Sequence, residues 1–505
     1  MGEPRPTYWR QQSPAGSGRG THPLDIILGA VIGIVLAALL GTAQWYLWRR
    51  LIRDVSAPGG WYRRVGTVVA CVLPVTTLLA LRGREFGLPF GFLRVISWPG
   101  FYWMAALLYL LPILGAVDLV RALLALRRRR AARAAGAATP ETAPAARAVA
   151  EPAAARPAER TAPATAEPRH PEPRHPEPDG SAGELVRPEA AARGTEEAGE
   201  TEETEEARGA KETEETEEAE ETERRETPAG AAGLDRRRLL ARGVAIGAGL
   251  AVTGTLGYGT WAARRLTTKH VRVALPRLPR AAEGYRIAVV SDIHLGPLLG
   301  GSHCRHVVDA VNATEPDLIT VVGDLVDADV DDLRSAVAPM AELHAREGVY
   351  FVTGNHEYYV DTGAWVDHVR ELGLHPLVNS RVELAHFDLA GVNDVSGEGS
   401  DFGGPDYAAA LGDRDPGRVS VLMAHQPVMV HESVDWGVDL QLSGHTHGGQ
   451  LWPISWLAAA ANPTVAGLDR FGDTQLYVSR GAGAWGPPVR VGADPDVTVV
   501  ELRRA

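Results

Sequence analysis

Cysteine and lysine are both scarce in this sequence of 505 residues. Cys71 lies inside an apolar run and Cys304 lies alone in the C-terminal half, so the chain has no disulfide framework and no thiolate set for a structural zinc site. Any bound metal would therefore use His, Asp, Glu or Asn. The two lysines are Lys211 and Lys269. Because nearly every basic residue is Arg, an Arg cluster is a weak functional signal in this chain.

The sequence also lacks an excess of basic over acidic residues. The net charge is −12, and residues 196–226 alone contain 16 Glu against four basic residues, so the rest of the chain is about neutral. Nucleic-acid-binding domains are usually strongly basic, because phosphate contacts supply much of their affinity. We therefore expect no nucleic-acid partner, and nuclease activity is disfavoured.

Long apolar runs occur in four places, and each is long enough to span a bilayer, which takes about 20 residues. The second run is the shortest and contains Pro74, so a buried soluble helix is its alternative. We predict an N-terminal tail over 1–23, a membrane region with three helices over 24–130, and a fourth membrane helix within 235–263. The runs are Leu24–Leu47, Val65–Leu81, Trp98–Leu126 and Leu239–Ala263.

Residues 131–234, between the third and fourth runs, are rich in Ala, Pro, Glu and Thr. Such a segment buries too little apolar area to offset its conformational entropy, so we predict a disordered acidic linker. Docking of a protein partner on the acidic part is the alternative.

The distribution of Arg predicts the orientation of the spans, because cytoplasmic flanks carry the excess of positive charge. On this basis the first loop and the linker are cytoplasmic, and the chain after the fourth span is extracytoplasmic. The flanking arginines are Arg49, Arg50, Arg53, Arg63 and Arg64; Arg127–Arg130 and Arg133; and Arg236–Arg238. Arg236-Arg237 also resembles a twin-arginine export signal. Export signals of this kind usually stand at the N-terminus, whereas this pair lies inside the chain. The alternative interpretation is therefore that these arginines are only the positively charged flank of the fourth membrane helix.

From Tyr285 onward, short β-branched runs alternate with amphipathic stretches, a pattern typical of an α/β domain. We predict a catalytic domain over 270–505. Five predicted strands run directly into polar residues, and ligands of open α/β sheets gather at the carboxyl ends of strands. The strands are Arg286–Val290, Leu318–Val322, Val349–Val352, Val419–Met423 and Leu440–Leu442.

The polar residues after these strands fit a metal site with two cations. Asp292 and His294 are two residues apart, as are His445 and His447, and in extended chain such pairs point to one side. Asp324 can bridge two cations through its two oxygens. Imidazole and carboxylate ligands together suit Mn, Fe or Zn.

Each of these signals is weak singly, but their order along the chain is specific. Asp-x-His, Gly-Asp, Gly354-Asn-His-Glu-Tyr-Tyr359, an isolated His425 and Gly444-His-Thr-His-Gly-Gly-Gln450 occur in turn. Together with Ser479-Arg-Gly and Pro488-Val-Arg490, they resemble the calcineurin-like metallophosphoesterases. The closer similarity is to the membrane-anchored subgroup, which includes the transmembrane proteins with a metallophosphoesterase domain and the YkuE-like phosphoesterases. The resemblance covers residues 285–504.

The resemblance implies a four-layered α/β/β/α sandwich with two divalent metal ions at one edge. It implies that Asp292, His294 and His447 bind one metal, that Asn355, His425 and His445 bind the other, and that Asp324 bridges them. His356 would contact the phosphate and act as the general acid. The two cations would lower the pKa of a shared water, giving the hydroxide that attacks phosphorus.

Residues outside the ligand set leave several interpretations open. Arg480 and Arg490 are candidates for binding a substrate phosphate; surface Arg is the alternative. Trp452, Trp456 and Leu457 form an apolar patch after the last motif, which predicts either core burial or contact with lipid.

We therefore expect a membrane-anchored phosphoesterase acting on a phosphodiester or pyrophosphate, with a lipid-linked or cell-envelope substrate as one option. A membrane anchor raises the local concentration of substrates in the same surface. A membrane sensor or scaffold with a silent phosphoesterase fold is the alternative, although the complete ligand set counts against it.

Overall fold

The computed structural model describes residues 23–137 and 229–505. Each of the four apolar runs lies within one long helix, and all four helices are long and apolar enough to cross a membrane. The predicted N-terminal tail and most of the predicted linker lie outside the described residues. The helices are α1 (Pro23–Trp48), which continues into a π-helical turn (Arg49–Arg53), α2 (Trp61–Arg82), α3 (Phe90–Ala137) and α4 (Ala229–Ala263).

These helices carry their apolar side chains outward. Leu39 of α1 is 62% exposed and Leu250 of α4 is 69% exposed, which is the reverse of a soluble helix and fits a lipid environment. The α2 and α3 backbones approach closely at Gly100, where a Cβ atom would lie 2.5 Å from the Thr76 carbonyl oxygen. Thr77 Oγ1 donates to the Gly100 carbonyl at 2.8 Å. Small residues at such crossings are typical of membrane helices.

Polar contacts join the helices at the end remote from the C-terminal domain. Asp118 of α3 accepts a hydrogen bond from the Tyr46 hydroxyl at 2.8 Å and pairs with Arg50 at 2.8 Å. Arg242 of α4 donates to the Val55 carbonyl at 3.0 Å. The opposite end of α4 leads directly into the first strand of the C-terminal domain. Arg50 and Arg242 therefore lie at the end of the bundle away from that domain.

Two six-stranded sheets form the C-terminal domain. The first has the strand order β1-β12-β2-β3-β4-β5 and the second has the order β10-β11-β9-β8-β7-β6. Strands β2 to β5 run parallel, as do β7, β8, β9 and β11. The strands are β1 (Thr267–Leu275), β2 (Arg286–Val290), β3 (Leu318–Val322), β4 (Val349–Val352), β5 (His375–Pro376), β6 (Ser380–Glu383), β7 (Asp388–Gly391), β8 (Ser420–Met423), β9 (Leu440–Ser443), β10 (Gly467–Phe471), β11 (Thr474–Val478) and β12 (Asp496–Arg504).

Successive side chains of a strand pack on opposite faces of its sheet, and this alternation explains the layers of the domain. In β2, Ile287 and Val289 pack in the core between the two sheets, whereas Ala288 and Val290 pack against helices on the outer face. Because successive side chains of a strand point to opposite faces, an uninterrupted apolar strand is buried on both sides. The helices are α5 (Gly301–Asn312), α6 (Val330–Val337), α7 (Thr362–Glu371), α8 (Tyr407–Leu411), α9 (Val430–Asp435) and α10 (Ser455–Ala461).

Three of these helices cover the first sheet: α5, α6 and α7 contribute residues such as Val307, Leu333 and Trp365 to its outer core. The α8 residue Leu411 packs on the outer face of the second sheet. The arrangement is an α/β/β/α sandwich, which confirms the predicted fold class.

Candidate metal centre

The predicted ligands gather where five neighbouring strands end. Several of them adopt a left-handed backbone that non-glycine residues seldom occupy, with φ of 53° at Asp292, 53° at Asp324 and 70° at His445. His294 and His447 do the same, at 50° and 52°. Each such residue costs about 1–3 kcal/mol, and clusters of them are typical of functional sites.

Glycines make room for these turns. A Cβ atom on Gly354 would lie 2.3 Å from Asp324 Oδ1, and one on Gly444 would lie 2.3 Å from Asp292 Oδ2. Neither position has space for a side chain. The glycines of the two motifs thus allow neighbouring loops to bring their ligands together.

The first group of ligand atoms contains Asp292, His294 and His447, which meet within 4.8 Å of one another. The two imidazole Nε2 atoms are 2.9 Å apart, and His447 Nε2 lies 3.4 Å from Asp292 Oδ1. Asp292 also accepts a hydrogen bond from the His445 backbone N–H at 3.0 Å. Asp292 therefore has two roles. Its carboxylate belongs to the first group, and its hydrogen bond positions the loop that carries His447.

The second group contains Asp324, His425 and His445, also within 4.8 Å. Asn355 joins it, with its Oδ1 atom 2.9 Å from His445 Nδ1. Asp324 Oδ2 is 3.2 Å from His425 Nε2 and 3.8 Å from His294 Nε2. A single carboxylate oxygen thus lies between the two groups, where the resemblance implies a bridging ligand.

Several observations show that these side chains fit divalent cations. His425 Nδ1 donates to the Val322 carbonyl at 2.8 Å, which directs its buried Nε2 toward Asp324 Oδ2, 3.2 Å away. Burial lowers the pKa of His445 and of His447. Both imidazoles are therefore neutral near pH 7, and neutral imidazole is the form that binds metal.

His356 follows the candidate ligand Asn355, and its ring forms a third group with His294 and Asp324, whose ligand atoms lie within 4.8 Å of one another. Its Nδ1 atom is 2.8 Å from Asp327 Oδ1, and its backbone N–H donates to Asp324 Oδ1 at 2.8 Å. Burial by itself lowers the pKa of His356, but the charge and hydrogen bond of Asp327 act together with the charges of Asp324 and Glu357 to outweigh it, and they raise the pKa to about 9. The ring is thus held in its protonated form.

Two carboxylates with evident roles were not predicted from the sequence. Asp327 Oδ1 also lies 2.8 Å from His294 Nδ1, so it orients both a ligand and the candidate general acid, as carboxylates behind metal-binding histidines commonly do. The charges of His294 and His356 outweigh burial and lower its pKa. In the sequence, the feature that could have indicated this role is that Asp327 lies three residues after the candidate ligand Asp324.

Glu357 is the second missed carboxylate, although it stands within the Gly-Asn-His-Glu motif. It is fully buried and accepts hydrogen bonds from the backbone N–H groups of Asp324, Leu325, Val326 and Gly354 at 2.7–3.3 Å. It therefore ties the loop after β3 to the loop after β4. These loops carry Asp324 and Asn355.

The two arginines expected near substrate differ in environment. Arg490 is fully buried, and its guanidinium donates to the carbonyls of His447, Gly483 and Ala493 and contacts His447 Nδ1 at 3.1 Å. This corrects the expected substrate contact, because its donors are used inside the protein to position His447. Arg480 is half-buried and lies over Gly448. Its guanidinium has no ion pair within the described parts of the chain.

A cavity of about 540 Å³ opens beside the ligand groups. His294, Asp327 and His356 line one end of it, with Trp485 and Tyr359 alongside. The Trp485 ring centroid is 6.2 Å from that of His356. The candidate general acid therefore borders a space of the size that small-molecule sites usually have.

A family model described as calcineurin-like phosphoesterase matches residues 285–449, the segment that contains every candidate ligand. The uncharacterized metallophosphoesterase YkuE of Bacillus subtilis is 30% identical over 280 residues, covering 53% of this chain and 97% of the relative. The chain belongs to the calcineurin-like phosphoesterase family. An uncharacterized metallophosphoesterase of Aquifex aeolicus is 31% identical over 242 residues, covering 47% of this chain and 92% of that protein.

The membrane-anchored subgroup is represented as well. A transmembrane protein with metallophosphoesterase domain from Bos taurus is 38% identical over 272 residues, which is 51% of this chain and 60% of the relative. The chain thus spans less than two thirds of that protein. The predicted family resemblance is confirmed, and with it a metal-binding phosphoesterase domain.

Proposed function

We propose that the protein is a membrane-anchored phosphoesterase that hydrolyses a phosphodiester or pyrophosphate bond with two divalent metal ions, of Mn, Fe or Zn. The observation that carries the proposal is the pair of ligand groups with Asp324 Oδ2 between them. Asp292, His294 and His447 would hold one ion, and Asn355, His425 and His445 the other, with Asp324 shared. Two such ions supply positive charge to the phosphate oxygens and lower the pKa of a nearby water.

The residues around the ions have separate tasks in this proposal. Asp327 fixes the His356 ring through Nδ1, which leaves Nε2 free to donate a proton to the departing oxygen. His356 lines the cavity, where a substrate would lie. No side-chain nucleophile is required, because a water attacks phosphorus.

The proposed location is the outer face of the cytoplasmic membrane. Arg50 and Arg242 lie at the end of the helix bundle away from the catalytic domain, and Arg-rich ends face the cytoplasm. A lipid-linked or cell-envelope phosphate is then within reach. Fusions of alkaline phosphatase or of a cytoplasm-only fluorophore after Ala505 test this orientation. Fluorescence of the second fusion together with an inactive alkaline phosphatase in the first would contradict it.

Hydrolysis of bis-p-nitrophenyl phosphate by the full-length protein in detergent tests the proposed activity. We expect turnover with added manganese, loss with a chelator, and loss in Asp324→Ala and His425→Ala. His431→Ala is the matched control, because that histidine is exposed and lies on α9 away from the ligand groups. A folded protein that binds two metals yet hydrolyses neither diesters nor monoesters would contradict the proposal and favour a sensor.

A further inference from the structure

We propose that the substrate is a membrane phospholipid-type ester, whose phosphate reaches the candidate metal centre through a cavity walled partly by α2 and α3. This inference rests on the proposed phosphoesterase activity and names its substrate class. It depends on three observations: the two ends of the cavity, the attachment of the catalytic domain to the helices, and the apolar surface beside them.

The cavity joins two chemically different surfaces. Its lining includes His294, Asp327 and His356 of the candidate centre at the polar end and Leu81, Leu93 and Phe101 of α2 and α3 at the apolar end. The charged residues Arg82, Arg84 and Glu85, which follow Leu81, also line it. A ligand that fills both ends has a polar phosphate and an adjoining apolar part. Leu81 is 44% exposed at the end of α2, so the apolar end is continuous with the helix surface that faces lipid.

The catalytic domain is held against this end of the helices by specific contacts. Arg84, in the loop between α2 and α3, pairs with Asp329 at 2.6 Å and donates to the Asp327 carbonyl at 3.2 Å. Asp327 is the carboxylate that orients His294 and His356. The loop from the membrane region therefore contacts the residue next to the candidate centre.

A second contact packs the catalytic domain against the sides of α3 and α4. Leu451 and Val489 of the catalytic domain are buried against Ala105 of α3, with Leu256 of α4 alongside. Ala105 and Leu256 belong to segments that can span a membrane. Part of the catalytic domain thus packs beside the helices at the level of their apolar surface.

Exposed aromatic side chains continue this surface. Trp452 is 52% exposed, and Trp456 and Leu457 of α10 are 69% and 70% exposed, directly after the buried Leu451. Trp is favoured at membrane interfaces, and an apolar patch of this kind costs free energy in water. Of the two interpretations of this patch, core burial is wrong, and contact with lipid fits the geometry. A lipid in the outer leaflet would therefore lie next to the cavity.

The test compares two esters that release the same chromophore. Full-length protein in phosphatidylcholine vesicles, supplied with manganese, is assayed on dioleoylphosphatidyl-p-nitrophenol in the same vesicles and on bis-p-nitrophenyl phosphate in solution. Leu81→Gln alters the apolar end of the cavity. Leu78→Gln is the matched control, because Leu78 is exposed one turn earlier on α2 and does not line the cavity.

We expect the lipid ester to be hydrolysed, and the ratio of lipid to soluble turnover to fall about tenfold in Leu81→Gln, since the apolar contact between Leu81 and the lipid would be lost. Leu78→Gln should keep the wild-type ratio. Turnover of the soluble ester without the lipid ester, or equal ratios in both variants, would overturn the lipid inference and leave the proposed activity intact. Absence of turnover on both esters would overturn the proposed activity and this inference with it.

Discussion

The two ends of the cavity are built by different means. At the polar end, the side chains come from strand ends and are nearly all buried. The second ring nitrogens of His425 and His294 bond to the Val322 carbonyl and to Asp327, and the backbone N–H of Asp324 donates to Glu357. At the apolar end, the wall includes Leu81, Leu93 and Phe101 of α2 and α3, next to the ion-paired Arg82 and Glu85. Fixed polar groups suit a catalytic role, whereas the apolar wall would contact the apolar part of the proposed lipid ester.

Substitution of a candidate ligand at the polar end is expected to have the largest effect on activity. His447→Ala and His445→Ala each remove one member of a different group, so each should lower the bound metal from two ions to about one and reduce hydrolysis about 10⁴-fold or more. Metal analysis and turnover of bis-p-nitrophenyl phosphate measure both effects. Asp331→Ala, an exposed substitution on α6, should change neither. Loss of both ions together would show one mixed site instead of two.

The second-largest effect on turnover is expected at His356, because it is the candidate proton donor. His356→Ala is expected to reduce turnover about 100-fold for a poor alkoxide leaving group. The loss should be smaller with p-nitrophenolate, which departs without a proton. Steady-state rates on an alkyl and a nitrophenyl ester measure the difference. Equal losses on the two esters would assign His356 to binding instead of proton transfer.

Glu357 provides a test of how rigidly the polar end is held. Glu357→Ala leaves four buried backbone N–H groups without their acceptor, and we expect the free energy of unfolding to fall by about 1–3 kcal/mol or more. Glu357→Gln keeps one carbonyl oxygen and should lose less. Thermal unfolding followed by near-ultraviolet circular dichroism compares the variants. Unchanged stability in the alanine variant would contradict this role.

The smallest effect is expected where the two regions meet. Arg84 and Asp329 form a pair whose side chains are 31% and 50% exposed, so their coupling should be about 0–1 kcal/mol. A double-mutant cycle of Arg84→Ala and Asp329→Ala, followed by thermal unfolding, measures it. A coupling well above this range would mean that the attachment of the domain to the helices dominates its stability.

Much of the fold followed from local patterns. The strands at Arg286–Val290, Leu318–Val322 and Val349–Val352 have the predicted bounds, because short apolar runs followed by polar turns mark buried parallel strands. The apolar runs likewise lie in the four long helices. The predicted ligands follow β2, β3 and β4 of the first sheet and β8 and β9 of the second. Parallel strands end at one edge of each sheet, and the packing of the two sheets brings these edges together.

Residues whose role depends on distant partners were not predictable in this way. The sequence makes Arg490 a candidate for binding a substrate phosphate, with a surface position as the alternative, but the fold shows that it is buried behind His447. Glu357 stands in a quoted motif, yet its four donors come from two different loops. Sequence spacing gives no information about such contacts, because they form only when the sheet brings the loops together.

The sequence by itself determined the family, the α/β class of the domain, the apolar helices and the identity of the candidate ligands, because each is encoded by a local run or motif. The tertiary structure decided what surrounds those ligands. Arg84 lies 245 residues before its partner Asp329, and Leu81 borders the same cavity as His356. Contacts over such separations arise from packing, so only the folded chain could place a membrane helix beside the candidate centre.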